Sequence, residues 1–296
     1  METMTRRSVL RVAAGVGVAT VMSSRLAGVL AQTATPVIPM FGDYPLLTVT
    51  VTDAAYVLSS NSVPAGIVHF VVTNKTSGPT SAVILGPPAG KSMADLQASM
   101  ATPTVGNGFP AFLYDAIILG GPQTMAAGET KEALLNVPAG DWIVLGDGQQ
   151  PPTSLTSAVS AASKTNEPAA DAEIIFGDFT FNGFENVMAG EHLWKISNKG
   201  VQPHMLVLAK VPAGTTEAQL MASFEGDGSG TPAAGSVPQD QIQDLTDGVF
   251  LLSTKQTMWL AIDLPPATYA AVCFVTDPTN GKSHAMEGMV KVFKVA

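Results

Sequence analysis

Hydrophobic and polar residues alternate along LLTVTVTDAAYVL, from Leu46, and again along AEIIFGDFTFNG, from Ala172. A period of two predicts half-buried β-strands. Each segment leads through a turn containing Ala-Gly into apolar runs rich in β-branched residues, and then into a short stretch of helical pattern at Ser92–Met100 and Thr216–Phe224. Ser92 and Thr215 stand where a side chain would cap the first turn. The similarity extends to the residues themselves. VPAGIVHFVVTNKTSGPTSAVILGPPAGKSMADLQAS (63–99) aligns without a gap on VMAGEHLWKISNKGVQPHMLVLAKVPAGTTEAQLMAS (187–223), at an offset of 124. Asn74-Lys75 meets Asn198-Lys199, Pro79 meets Pro203, and Leu96 meets Leu220. Further on, NVPAGDWIVLGD from Asn136 matches DLPPATYAAVCF from Asp263, with Trp142 opposite Tyr269. One unit is therefore written twice. Repeats of this length with many short strands predict an all-β chain of two tandem Greek-key β-sandwich domains, 32–150 and 172–296. Pro151–Asp171 reads as the linker between them, and the Gly-, Ser- and Pro-rich Glu225–Val237 as a loop.

Composition agrees with many turns and few long helices: 28 Gly and 21 Pro in 296 residues, of which 46% are hydrophobic and 13% charged. Residues 1–31 read as a removable export signal, with Arg6-Arg7 ahead of an apolar run and small residues at Val29-Leu30-Ala31. The run Val12–Met22 is too short to span a bilayer, so no transmembrane span is expected in the mature protein. Thr5-Arg6-Arg7-Ser8-Val9-Leu10 resembles a twin-arginine signal, whose route carries proteins already folded; an ordinary secretory signal is the alternative. Both imply a protein exported to a periplasmic or extracellular location. Loss of residues 1–31 removes all four arginines and Glu2, taking the formal charge from −9 to −12. A chain without arginine or a basic patch is poorly equipped for phosphate, so no nucleic acid is expected as partner.

The remaining chemistry gathers in CFVTDPTNGKSHAMEGM, from the single cysteine Cys273 to Met289. A lone cysteine makes no internal disulfide, so an exported protein must bury it, bond it to a metal or use its reactivity. Burial is a real alternative, because Cys273 lies within the apolar run TYAAVCFV. His284 follows after ten intervening residues and Met289 after four more, ahead of a final strand VKVFKV. Such a loop can fold back to bring thiol, imidazole and thioether together, and His204, after the turn Asn198-Lys199-Gly200, offers a second imidazole. Two imidazoles, a thiolate and a thioether are a blue-copper donor set.

The order His204, Cys273, His284, Met289, the Pro203-His204 junction and the Gly288-Met289 step before the last strand resemble the cupredoxins, the plastocyanin and azurin group. The resemblance covers most of 172–296, and at the level of fold extends to 33–150. It implies His204 and His284 as equatorial imidazoles, Cys273 as thiolate and Met289 as weak axial ligand of one type 1 copper, with Met286 as competitor for the axial place. Met205 stands where the family often has Asn or Asp, Val272 replaces a frequent aromatic, and the Cys-to-His spacing is longer than in the small carriers. The resemblance also implies that His284 approaches the surface, ringed by Ala285, Met286 and Gly288 as a docking patch for a redox partner protein. In the first repeat the matching positions are Thr80 and Gly146, so no copper ligands are expected there. His69 reads as a structural histidine within a strand and His192 as solvent-facing.

Four histidines cannot build a trinuclear copper cluster or add a second copper with three imidazoles of its own. Gly226–Gly235 lacks the lysine of a phosphate loop, and no oxyanion motif accompanies Cys273. The sequence is read as that of an electron-transfer protein rather than an enzyme. An envelope copper-binding or delivery protein and a metal-free interaction module are the alternatives.

Overall fold

The computed structural model describes residues 41–101, 110–146, 150–224 and 235–296. The expected signal 1–31 and most of the loop 225–237 lie outside them. The first repeat contributes β1 (Leu46–Val51), β2 (Tyr56–Leu58), β3 (Ser62–Pro64), β4 (Gly66–Asn74), β5 (Val83–Gly86), β6 (Ile117–Gly120), β7 (Thr130–Val137), β8 (Gly140–Leu145) and β9 (Thr153–Ala158). The second contributes β10 (Ala172–Gly177), β11 (Thr180–Asn182), β12 (Gly190–Asn198), β13 (His204–Val211), β14 (Gln243–Leu252), β15 (Thr257–Leu264), β16 (Ala267–Val272) and β17 (Val290–Val295). The chain is all-β, in two cupredoxin-like Greek-key sandwiches. One sheet of the first is β3-β9-β8-β5-β6 and one sheet of the second is β14-β13-β16-β17. Their other sheets join edge to edge as β11-β10-β12-β15-β7-β4-β1-β2, through the antiparallel pair β15 and β7 with Trp259 opposite Leu134.

The repeat is visible element by element. Strands β4 and β12 are nine residues each, and helices α1 (Met93–Met100) and α3 (Glu217–Phe224) eight each, both pairs at the offset of the ungapped alignment. A short helix α2 (Phe112–Asp115) lies between them in sequence. Ser92 caps α1 in a reciprocal box with Asp95. The cap of α3 is Thr216, one residue later than the pattern suggests: its Oγ1 accepts from the Gln219 amide at 3.3 Å while the Gln219 side chain accepts from the Thr216 amide at 2.9 Å. Burial alternates in β1 and β10, whereas β5 is buried throughout and β13 is buried at every position but Lys210. Trp142 and Tyr269 occupy one position in the two copies, and each donates to a proline carbonyl four residues earlier, Pro138 at 2.9 Å and Pro265 at 2.8 Å. Tyr269→Phe is expected to lower stability by about 1 kcal/mol, read as a shifted urea midpoint with an unchanged slope.

The expected linker 151–171 is shorter than the sequence suggests. Residues 153–158 form β9, which pairs with β8 and β3 as the last strand of the first sandwich, in the place β17 takes in the second. Its buried positions are Leu155 and Ser157, too polar an alternation to stand out beside Pro151-Pro152. From there the chain runs over the outer face of the joined sheet. Ile67 donates to the Lys164 carbonyl at 2.7 Å, Tyr44 to the Asn166 carbonyl at 2.6 Å, and Lys195 reaches Glu167 at 2.6 Å. Phe41, Ile67, Leu134, Leu193 and Trp259 are buried on that face. A second seam joins the repeats where the Gln123 amide donates to the Gly248 carbonyl and the Phe250 amide to the Gly121 carbonyl. Gly120, at φ +102°, makes this approach possible, since a Cβ there would lie 2.6 Å from Met258 Sδ.

Candidate metal centre

Residues 198–204 form a turn built around Asn198. Its side-chain oxygen accepts from the Gly200 amide at 2.9 Å, and its amide nitrogen donates to the carbonyls of Gln202 at 2.8 Å and Leu252 at 2.9 Å. Asn74 makes the corresponding bonds to Gly78 and Met125 in the first repeat. The turn delivers His204 as the first residue of β13. Just past the end of the neighbouring strand β16, the Cys273 amide donates to the Met289 carbonyl at 3.2 Å and its carbonyl accepts from Ala285 at 2.8 Å, so the loop leaving Cys273 comes back beside it. The tip closes at Asp277, whose amide and carbonyl bond Lys282 and Gly281. Ser283 then caps a single 3-10 turn, His284–Glu287, and Gly288 ends it at φ +103° before β17 begins. That fold-back places His284 next to Cys273 across ten intervening residues.

His204, Cys273 and His284 converge, one donor atom from each lying within 4.8 Å of the others. Cys273 Sγ is 3.4 Å from His284 Nδ1 and 3.8 Å from His204 Nδ1, and the two Nδ1 atoms are 3.1 Å apart. Outer partners set the tautomers. His204 Nε2 faces Asp178 Oδ1 at 3.3 Å, and His284 Nε2 faces Gln202 Oε1 at 3.0 Å. Both acceptors require a proton on Nε2, which leaves each neutral ring with its Nδ1 lone pair directed at the other and at sulfur. Three donors aimed at one point, with no donor hydrogen between the two nitrogens, suit a soft-to-borderline cation; nitrogen and sulfur together favour copper. Among the described residues this is the one such group.

Burial governs the protonation of the metal-free site. Desolvation lowers the pKa of His204 against the opposing pull of Asp178, and lowers that of His284 to about 4, with His204 adding to the effect. It pushes Cys273 up to about 12 despite amide bonds from Met205 and Val275. A neutral thiol and two neutral imidazoles are thus the resting state without metal. Because His284 titrates well below the ordinary histidine value near 6.5, the unfolded chain binds more protons between those two pH values. Stability of the metal-free protein should therefore be full above pH 6.5 and fall as pH drops toward 4, by up to about 1.4 kcal/mol per pH unit from His284, with His204 acting in the same direction. Urea midpoints between pH 8 and pH 4.5 test this, with His284→Leu expected to flatten the slope.

Met289 is fully buried and packs in the same core as Cys273, with its amide donating to the His284 carbonyl at 2.8 Å. Met286 is 38% exposed. His284 is not at the surface as expected: its exposure is 0%. The cause is the hairpin joining β10 and β11, in which Phe179 takes φ +59° and sets its ring edge-on to His284 at 5.0 Å, while Gln202 covers Nε2. Ala285 is buried as well, so the exposed apolar side chains flanking this end are Val201 and Met286. Asp178 and Phe179, which touch the two histidines, escaped the sequence reading. Their one signal is the Gly177-Asp178 turn between two alternating segments. His69 bonds Glu132 at 2.7 Å and packs its ring at a tilt against Phe41, as suits a structural histidine. His192 is half-buried rather than solvent-facing, 3.1 Å from the Ala189 carbonyl and 3.5 Å from Asp171. In the first repeat a Cβ at Gly146 would lie 1.9 Å from the Ser81 carbonyl oxygen and 2.8 Å from the Tyr56 hydroxyl, so no side chain fits where the second repeat has Cys273.

Two cupredoxin-like Greek-key sandwiches thus carry a buried His–Cys–His group at one end of the second. No family model matches the chain, and no curated protein matches it in sequence. Among solved structures it is similar to the auracyanin of Roseiflexus castenholzii (13% identity, TM-score 0.28, covering 40% of this chain and 99% of that one). It is also similar to auracyanin A, a blue copper protein of Chloroflexus aurantiacus (16%, 0.26, 38% and 99%). The copper nitrite reductase of Nitrosomonas europaea matches over both repeats (10%, 0.24, 86% and 93%). Likeness of this size says nothing of chemistry.

Proposed function

We propose that the chain is an exported single-electron carrier with one type 1 copper in its second sandwich, and that it is not an enzyme. The observation that carries the reading is the pair of Nδ1 lone pairs directed at each other and at Cys273 Sγ, each fixed by a side chain on the outer nitrogen. His204, His284 and Cys273 would hold the ion, with Met289 as the weak axial donor because it is the buried one of the two methionines. Copper bound there supplies reversible one-electron chemistry. The chain's part is to exclude water, hold the imidazoles in one tautomer and keep the donors in place in both oxidation states. Phe176 and Phe179 pack edge-on to the two histidines and support that rigidity.

Burial of every donor favours a carrier over a delivery protein, since handing copper on requires a ligand that an incoming donor can reach. Phe179, Val201 and Met286 would form the face a redox partner meets. The other two histidines are engaged at Glu132 and Asp171, which supports a single centre. Residues 1–31 would direct export, and the first sandwich, to Ala158, would carry no metal. The test is an absorption spectrum and metal analysis of desalted protein after one equivalent of Cu(II). An intense visible band with stoichiometric copper supports the carrier; tight Cu(I) binding without a band supports delivery; and metal-free, colourless protein leaves a sandwich whose Cys273 is core.

A further inference from the structure

The one convergent donor group among the described residues lies in the second sandwich, yet one short segment of the first grips the second on both sides of that group. On the Cys–His side, the Tyr114 hydroxyl, at the end of α2, donates to the carbonyl of Thr276, three residues past Cys273 and within the ligand loop. Thr276 also forms an isolated bridge with Ser283, the residue before His284. On the His204 side the contact is Ser253, which follows Leu252, the residue opposite His204 in the sheet. The Ser253 hydroxyl donates to the Ala116 carbonyl and accepts from the Ile118 amide, both at 2.9 Å, and its own amide donates to the Ile118 carbonyl at 3.0 Å. The adjacent Thr254 hydroxyl bonds the Gly200 carbonyl, within the turn that delivers His204.

We infer that residues 114–118 of the first sandwich are a positioning clamp for the donor loops of the second, with Tyr114 fixing the Cys273-to-His284 loop and Ser253 relaying the other arm toward His204. The ligand loop is long, and its entropy rises with length. Within the loop the Ala285 amide bonds the Cys273 carbonyl, the Asn280 side chain bonds Glu287, and the tip turn and the Thr276–Ser283 bridge close it, but none of these ties it to the first sandwich. A bond from outside limits its opening. Tyr114 is suited to this task because burial, with the nearby Asp277 and Cys273, holds its pKa up to about 12, so the hydroxyl stays a donor at any physiological pH. The purpose of the clamp rests on the metal-site reading, but the test does not.

In the metal-free full-length protein, Cys273 is fully buried and reacts with iodoacetamide only when the loop opens. Tyr114→Phe should raise the alkylation rate about 5- to 10-fold, the effect of one lost hydrogen bond, and the rate should stay nearly independent of urea below the unfolding transition. Tyr44→Phe removes the same kind of bond, to Asn166 on the far face of the joined sheet, and should leave the rate unchanged. Equal rates in wild type and Tyr114→Phe, or equal acceleration by the two variants, would overturn the clamp. In copper-loaded protein, Tyr114→Phe should keep the visible band but broaden or shift the Cu(II) hyperfine lines, a change that a loss of global stability alone does not produce. Unaltered lines would likewise count against it. A wild-type protein that takes up no copper removes the metal-site reading and leaves the alkylation result to decide the clamp.

Discussion

Cys273→Ser protein, given one equivalent of Cu(II), is expected to show no visible band at all. The colour of such a centre comes from charge transfer out of a thiolate, and Cys273 is the chain's one sulfur of that kind. Its thiol titrates near 12 without metal because burial disfavours the anion. A cation flanked by two imidazoles reverses that preference, since a coordinating thiol is deprotonated outright. Serine keeps the size but not the donor: an alkoxide is far harder to form in the same apolar surroundings. The fold should survive, because a small side chain of similar shape replaces another in the core, and the Met205 amide that faces sulfur at 3.5 Å can still bond to oxygen. The expected result is a folded, colourless protein with copper affinity reduced by orders of magnitude. Persistence of the wild-type band would sink the assignment.

Gly200→Ala should weaken copper binding about 10- to 100-fold, the usual cost of losing an outer partner of a metal-bound histidine. A Cβ on Gly200 would sit 2.4 Å from Asp178 Oδ1 and 2.7 Å from His204 Nε2, between the two atoms of the bond that orients the ring. One of them must move, and the carboxylate, at the tip of a two-residue hairpin, is the freer. Asp178 also accepts from the amides of Val201 at 2.9 Å and Gln202 at 3.4 Å, so its displacement loosens the turn that delivers His204. Asp178→Asn separates charge from geometry: it can still accept from Nε2 but adds no negative charge, so it should keep most of the affinity and raise the reduction potential. Equilibrium copper titration against a chelator of known affinity, with redox titration of the loaded variants, checks both. An unchanged affinity in Gly200→Ala would mean that Asp178 does not hold the ring.

Much of this was legible in the chain itself. The duplication at a constant offset carries the lengths of β4, β12, α1 and α3, because strand and helix patterns are local and repeat with the residues. The donor types were legible for a similar reason: one cysteine, one loop histidine and a methionine at fixed spacing are rare enough to be read in order, and the Asn198 turn announces His204 through side-chain bonds made within a few residues. What failed to show was set by partners distant in sequence. β9 is a strand because β8 and β3 offer it ladder bonds, not because TSLTSA favours one. His284 is buried because a hairpin more than a hundred residues earlier lays Phe179 across it, and no pattern around residue 284 reports that. Asp178 and Tyr114 reach the site only after β10 and α2 have been packed against loops far along the chain. The sequence by itself determined the repeat, the strand class and which residues are candidate donors, since these depend on residue type and short spacing. The tertiary structure alone decided which outer nitrogen meets which acceptor, whether an edge of the site meets solvent, and that Tyr114, Ala116 and Ile118 of the first sandwich bond the second beside the site, because each of these is a contact between segments that only folding brings together.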